Sequence, residues 1–195
     1  MSHEGSSEPP EADAAEETRG RWSTLATVVV VGVALDQIGK QLAEAFLRGR
    51  GVVRVVDGFF ELRYARNPGA FFSLGAELAP ALRRTVFVVA SVAAVALIVR
   101  LYARAARAQR ALRWALMLLL AGALGNLVDR VLYGEVIDFV HLYWRDVFDW
   151  ATFNVADALI VGGLASLVVD LFRARRADRG AAEPPTERTP SEGST

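Results

Sequence analysis

The sequence predicts an α-helical integral membrane protein with four transmembrane helices, a small β-rich cradle and an interfacial loop or helix beside it. Three observations carry that expectation. Of the 195 residues, 53% are hydrophobic, and the mean hydropathy of +0.27 understates the middle of the chain because both ends are polar. Soluble domains run at about 45–50% apolar. Four windows approach the ~20 mainly apolar residues that cross ~30 Å of hydrocarbon. Between those windows the arginines are unevenly shared, as the positive-inside rule requires of a spanning chain.

The chain divides into three parts. Residues 1–20 form an acidic leader with Glu4, Glu8, Glu11, Asp13, Glu16 and Glu17, and residues 177–195 form a tail rich in Pro, Glu, Ser and Thr. Neither holds enough apolar surface to order itself, so both read as disordered. Residues 21–176 form the membrane domain. Its spans are expected at about Trp22–Phe46, Thr85–Leu101, Ala111–Leu127 and Phe153–Phe172. Arg100, Arg104, Arg107, Arg110 and Arg113 lie around the second connection with no acid among them, and Arg173, Arg175, Arg176 and Arg179 follow the fourth span. Both segments are therefore expected in the cytoplasm, and both termini with them. Arg48, Arg50, Arg54, Arg63 and Arg66 in the first connection dilute the signal without reversing it. A cleaved secretory signal ending near Ala43-Glu44-Ala45 is the competing reading of the first span. The acidic leader and the Asp36/Lys40 pair argue against it.

The two outer connections have patterns of their own. Residues 52–66 are β-branched and aromatic and predict a strand pair turning at Asp57-Gly58. Residues 139–152 hold Tyr143, Trp144, Phe148 and Trp150, which suit a membrane–water interface. His141 sits among them and is expected to take no part in catalysis.

Zero net charge and clustered hydrophobicity exclude a nucleic-acid binder. Without cysteine there is no disulfide, thiolate metal site or thiol nucleophile. His3 and His141 are the only histidines and Lys40 the only lysine. A histidine zinc motif is therefore absent, as are a Gly-x-Ser-x-Gly elbow and a phosphate-binding glycine loop. No metal or organic cofactor is called for.

Carboxylates remain. Ionisable groups in or beside a span are costly and mark function by default. Asp36 and Lys40 share a helix face at i, i+4, as do Asn126, Asp129 and Arg130 at i, i+3 and i+4. Counting membrane crossings puts these five on one side with Asn67, Asp138, Asn154 and Asp157. Each has a plain structural alternative. Asp36/Lys40 is equally an intrahelical ion pair, Asn126/Asp129/Arg130 an interhelical clamp, Asn67-Pro68-Gly69 a turn, and Asn154 or Asp157 a helix cap. Two closely placed carboxyls share a proton at neutral pH, so the ionised member can draw a proton from water while the other protonates a carbonyl. The residue pattern alone leaves open which pair among Asp36, Asp129, Asp138 and Asp157 does so. A proton relay or ion path would spread acids through the membrane, and the middle and inner halves of the spans lack them. A structural scaffold would need none of these motifs together.

Four blocks, VALDQIGK (33–40), RNPGAFFSL (66–74), GALGNLVDRVLYGEVIDF (122–139) and FNVADALI (153–160), resemble lipoprotein signal peptidase, or signal peptidase II, in order and spacing. The resemblance implies an aspartic intramembrane endopeptidase of the bacterial plasma membrane. Such an enzyme cuts prolipoproteins just before a lipobox cysteine that already carries diacylglycerol. It also implies that Asp138 and Asp157 are the catalytic dyad, and that Asp129 and Arg130 support it. Asp36, Lys40, Asn67, Gly69, Asn126, Asn154 and Ala156 match further motif positions, and residues 52–66 match a periplasmic cradle. Lipid-modified prolipoproteins and membrane lipid are the expected partners, and a monomer the expected state. Phe71 and Ala121 depart from the usual small residue and glycine, which touches loop shape rather than chemistry.

Overall fold

The computed structural model describes residues 10–69, 79–145 and 147–182. Phe71 lies outside them. Four helices and four strands follow in the order α1 (Pro10–Leu47), β1 (Val53–Val56), β2 (Phe60–Asn67), α2 (Pro80–Arg104), α3 (Arg110–Leu132), β3 (Val136–Trp144), β4 (Phe148–Asp149) and α4 (Val155–Ala182). All four helices contain a stretch long and apolar enough to cross a membrane: Thr18–Leu47, Pro80–Arg104, Arg110–Leu132 and Val155–Arg173.

Two helices run past the expected membrane domain. α1 begins at Pro10, well inside the segment 1–20 expected to be disordered, and α4 continues to Ala182, past residue 176. Proline at the first helical position loses no hydrogen bond and arrives with helical φ already set. A long span also nucleates helix outward, since each added residue then contributes a hydrogen bond without a new nucleus.

α3 is central. It packs against α1, α2 and α4, and its closest partner is α4. That closeness needs glycine: a Cβ on Gly122 would lie 2.4 Å from the Ala156 carbonyl oxygen, and one on Gly163 would lie 3.0 Å from that of Ala115. Small residues let spans approach where hydrocarbon offers no hydrophobic drive. At the end of the bundle remote from the sheet, Leu25, Tyr102, Ala105, Leu116, Met117 and Leu120 form a buried cluster. Arg21 closes it. Its guanidinium donates to the carbonyls of Tyr102 (2.7 Å) and Ala103 (2.8 Å), while the Tyr102 hydroxyl returns a bond to the Arg21 carbonyl (3.0 Å). Both carbonyls belong to the last turn of α2, where intrahelical donors run out. Val30, Leu35, Val89, Val92, Leu97, Leu164 and Val168 point outward, as side chains solvated by lipid do.

At the opposite end lies one antiparallel sheet in the order β1-β2-β3-β4. β1 and β2 turn at Asp57-Gly58 as expected, with Gly58 at φ +75 and Phe59 N–H bonded to the Val56 carbonyl at 3.1 Å. The segment 139–152, expected as an interfacial loop or helix, is instead mostly strand. β3 pairs along β2 from Val136↔Asn67 to Leu142↔Phe60, then folds back through β4. Its run of Val, Ile, Phe and Tyr fits a pleated surface with partners on both sides. The chain then returns beside β3, with Phe153 N–H donating to the Val140 carbonyl (2.9 Å) and its carbonyl accepting from Val140 N–H (2.8 Å). Asp138 therefore stands on a strand and not on a loop.

Gly122→Ala should push α3 from α4 through a backbone contact that cannot rotate away, costing about 1–3 kcal/mol. Thermal unfolding in detergent should show the loss, whereas Gly162→Ala, with open space at its Cβ, should leave the transition in place.

Candidate active site

The site is built from α1 outward. Asp36 and Lys40 lie one turn apart and are almost wholly buried, at 0% and 2% exposure. The Lys40 ammonium reaches Asp36 Oδ2 at 2.7 Å, Asp129 Oδ2 at 2.9 Å and Asn126 Oδ1 at 3.1 Å. Three acceptors use its three protons. Gln37, which sequence reasoning missed, donates to Asp129 Oδ1 (3.0 Å), the Gly125 carbonyl (3.2 Å) and Asp36 Oδ2 (3.3 Å). Its place in the block beside Asp36 and three residues before Lys40 was the available signal. Gly125 opens the space for this cluster, since a Cβ there would lie 2.7 Å from Asp36 Oδ2.

Each buried acid then grips another element. Asp129 Oδ2 accepts the backbone N–H of Ile137 at 3.1 Å, which holds the first residues of β3. Asp36 Oδ1 accepts the N–H of Ala156 at 2.8 Å, on the open first turn of α4. Ala156 is thus used through its backbone, and its small side chain lets α3 pass. The expected intrahelical ion pair of Asp36 and Lys40 exists and is also a three-helix joint.

Asn154 precedes α4 and caps it. Its Oδ1 accepts Asp157 N–H at 2.8 Å, and Asp157 Oδ2 accepts Asn154 N–H at 3.3 Å. This is the reciprocal arrangement of a capping box. The other half of the Asn154 amide donates to Asp138 Oδ1 (2.7 Å), Asn126 Oδ1 (3.1 Å) and the Ile137 carbonyl (3.3 Å). Asn126 in turn donates to Asp157 Oδ1 at 2.7 Å. Two asparagines therefore connect a carboxyl on β3 to a carboxyl on α4. From β2, Asn67 donates to Asp138 Oδ2 at 3.0 Å, and Gly69 N–H fixes the Asn67 amide at 3.1 Å. Arg130 is the loosest member. Its guanidinium makes a long bond to the Asn126 carbonyl (3.4 Å), lies over the Phe87 ring, and acts on Asp157, Asp129 and Asp138 through charge alone.

Asp138 is pushed up to about 7, first by burial and then by the neighbouring charge of Asp157, against the donations from Asn67 and Asn154. It is therefore largely protonated below that pH. Asp157 receives donors on both oxygens. Two carboxyls joined at one site, one of them raised, are a set that acid–base hydrolysis can use. Among the described residues no three His, Cys, Asp or Glu groups are arranged to hold a metal ion.

The sequence profile of the family described as Signal peptidase (SPase) II matches residues 28–173. The chain belongs to the signal peptidase II family. The lipoprotein signal peptidase of Geobacter sulfurreducens (strain ATCC 51573 / DSM 12127 / PCA) is 40% identical over 149 residues, covering 76% of this chain and 91% of the relative. That of Solibacter usitatus (strain Ellin6076) is 38% identical over 156 residues, covering 80% and 94%. A solved structure described as a bacterial membrane enzyme, obtained by the in meso method at 2.3 Å resolution, superposes with a TM-score of 0.68 at 26% identity. It covers 84% of this chain and 94% of its own. As a signal peptidase II the protein is a peptidase of a four-span membrane fold, and the matched segment contains every polar group of the site.

Lys40→Met should leave Asp36 and Asp129 as buried charges without their cation and cost about 3–5 kcal/mol. Unfolding in detergent at neutral pH should show the loss.

Proposed function

We propose that this peptidase removes the signal peptide from prolipoproteins whose lipobox cysteine carries diacylglycerol, cutting just before that cysteine, with Asp138 and Asp157 as the acid–base pair. The names of the relatives support the substrate class. The observation that carries the catalytic reading is the Asn126–Asn154 link between one carboxyl on β3 and another on the first turn of α4.

Asp157, ionised, takes a proton from water as the water oxygen bonds to the scissile carbonyl carbon. Asp138, protonated, gives its proton to the carbonyl oxygen, so no oxyanion builds up. As the gem-diol collapses, one hydroxyl proton returns to Asp138 and the proton on Asp157 passes to the departing nitrogen. The C–N bond breaks and both carboxyls regain their starting states. Asn67 steadies the Asp138 side, Asn126 and Asn154 hold the spacing, and Asp36, Lys40, Asp129 and Arg130 set the frame and the field.

The arginines of the second connection and of residues 173–179 support a plasma-membrane orientation with both termini cytoplasmic and the sheet outside. The substrate's acyl chains stay in the bilayer while its peptide reaches the sheet. A monomer supplies every group the reaction uses, and neither metal nor organic cofactor enters it.

The test is cleavage of diacylglyceryl-modified and unlipidated prolipoprotein by purified wild type, Asp138→Asn and Asp157→Asn, followed by gel shift. Wild type should cut the lipidated form alone, and each variant should lose about 10²–10⁴-fold in rate while staying folded. A folded variant that still cuts would remove its aspartate from the reaction. With Asp138 raised to about 7, kcat/KM should fall as pH climbs above that value and the acid loses its proton. Asp157→Asn removes a charge that raises Asp138, so the Asp138 carboxyl signal in 13C NMR should titrate at lower pH in that variant.

A further inference from the structure

His141 is buried on β3, on the face opposite Asp138, and takes no part in the reaction above. Its Nδ1 lies 2.9 Å from Glu61 Oε1 on β2, and its Nε2 lies 2.8 Å from Asp149 Oδ1 on β4. The ring stacks on Tyr143 with 5.3 Å between centroids and 12° between planes. A carboxylate can only accept, and a neutral imidazole carries one donor and one acceptor. Two carboxylate contacts therefore need an imidazolium or a protonated acid.

The surroundings decide between them. Asp149 is largely exposed, and the bond to His141 holds its carboxyl below the usual range. Arg63 stands 3.9 Å from Glu61 and also bonds Thr152 at 2.6 Å, while Arg54 on β1 pairs opposite Glu61. On α1, which meets β3 where Gly39 faces Phe139, Glu44 is engaged by Arg48 and Tyr64. Cationic side chains thus accompany Glu61, and the two ring nitrogens of His141 face two carboxyl groups.

We propose that His141 is held as an imidazolium and is a positioning residue whose proton fastens the return segment 149–153 across the sheet. That segment leaves β4 at Asp149, bonds Trp150 N–H to the Leu142 carbonyl at 2.9 Å and Phe153 to Val140, and ends at Asn154. It lies on the chain path from Asp138 to Asp157 and ends at Asn154, the residue that bonds both carboxyls, so its anchor bears on their placement. Loss of the proton turns one of the two contacts from attraction to repulsion. The activity part of this inference rests on the dyad reading; the proton count does not.

The test is 15N NMR of the full chain labelled at histidine, in detergent, with His3 as a reference in the same spectrum. At pH 7 His141 should show two protonated ring nitrogens. Glu61→Gln supplies an amide donor, and Asp149→Asn supplies one at an exposed position where folding is safe. Either change should return His141 to a neutral ring. With lipidated prolipoprotein, the alkaline fall of kcat/KM should be steeper in wild type, which loses two protons, than in Glu61→Gln, which loses only that of the dyad. A neutral single tautomer in wild type at pH 7 would overturn the imidazolium, and equal alkaline slopes would overturn the positioning role. The NMR result needs no substrate, so its failure leaves the dyad standing. Cleavage surviving in Asp138→Asn would sink the dyad and leave the NMR result untouched.

Discussion

One buried ammonium holds the sheet end of this molecule together. Lys40 is enclosed by Asp36, Asp129 and Asn126, and a charge cannot stay in such a place without partners. The two acids cannot stay without Lys40 either. Their second oxygens and remaining lone pairs reach the start of β3 at Ile137 and the first turn of α4 at Ala156. Through a single cation, α1 and α3 are joined, and the strand that carries Asp138 and the helix that carries Asp157 are aimed. Gly125 is the steric condition for this, and the tight α3–α4 contact at Gly122 is its continuation.

Fold and chemistry use the same bonds here. Asn154 caps α4 with one half of its amide and bridges Asp138 to Asn126 with the other. Asp157 closes the capping box and is also an acid of the site. The positive end of the α4 dipole stabilises negative charge on its first turn. The raised Asp138, on a strand without that field, has burial and a like charge acting on it instead. Two identical side chains stand in different fields because one is at a helix start and the other in extended chain.

Much of this was readable in the sequence, and the rest was hidden for physical reasons. The spans followed from hydropathy, and the gathering of Asp36, Asn126, Asp129, Asp138, Asn154 and Asp157 at one end followed from counting crossings. The cap and ligand readings of Asn154 looked like alternatives because a sequence shows one residue, while an amide has two ends. Gln37 escaped notice because its amide stands between Asp36 and Lys40, whose charges carry the stronger cost signal. β3 was misread because aromatic density marks both an interface and a strand, and only the pairing with β2 separates them. The helical extension from Pro10 was missed because composition reports what cannot bury itself, not what a neighbouring helix can carry along.

The return of the chain beside β3 also sets where its length can vary. Side chains alternate along an extended segment, so one residue added between Asp149 and Asn154 would turn the cap away from α4 and reverse which groups face β3. The same insertion between Trp144 and Phe148, the last pair of the β3–β4 ladder, meets no such constraint. Among chains that share this architecture, the hairpin tip is free to lengthen and drift, while the six residues from Asp149 to Asn154 keep a constant count whatever their side chains become.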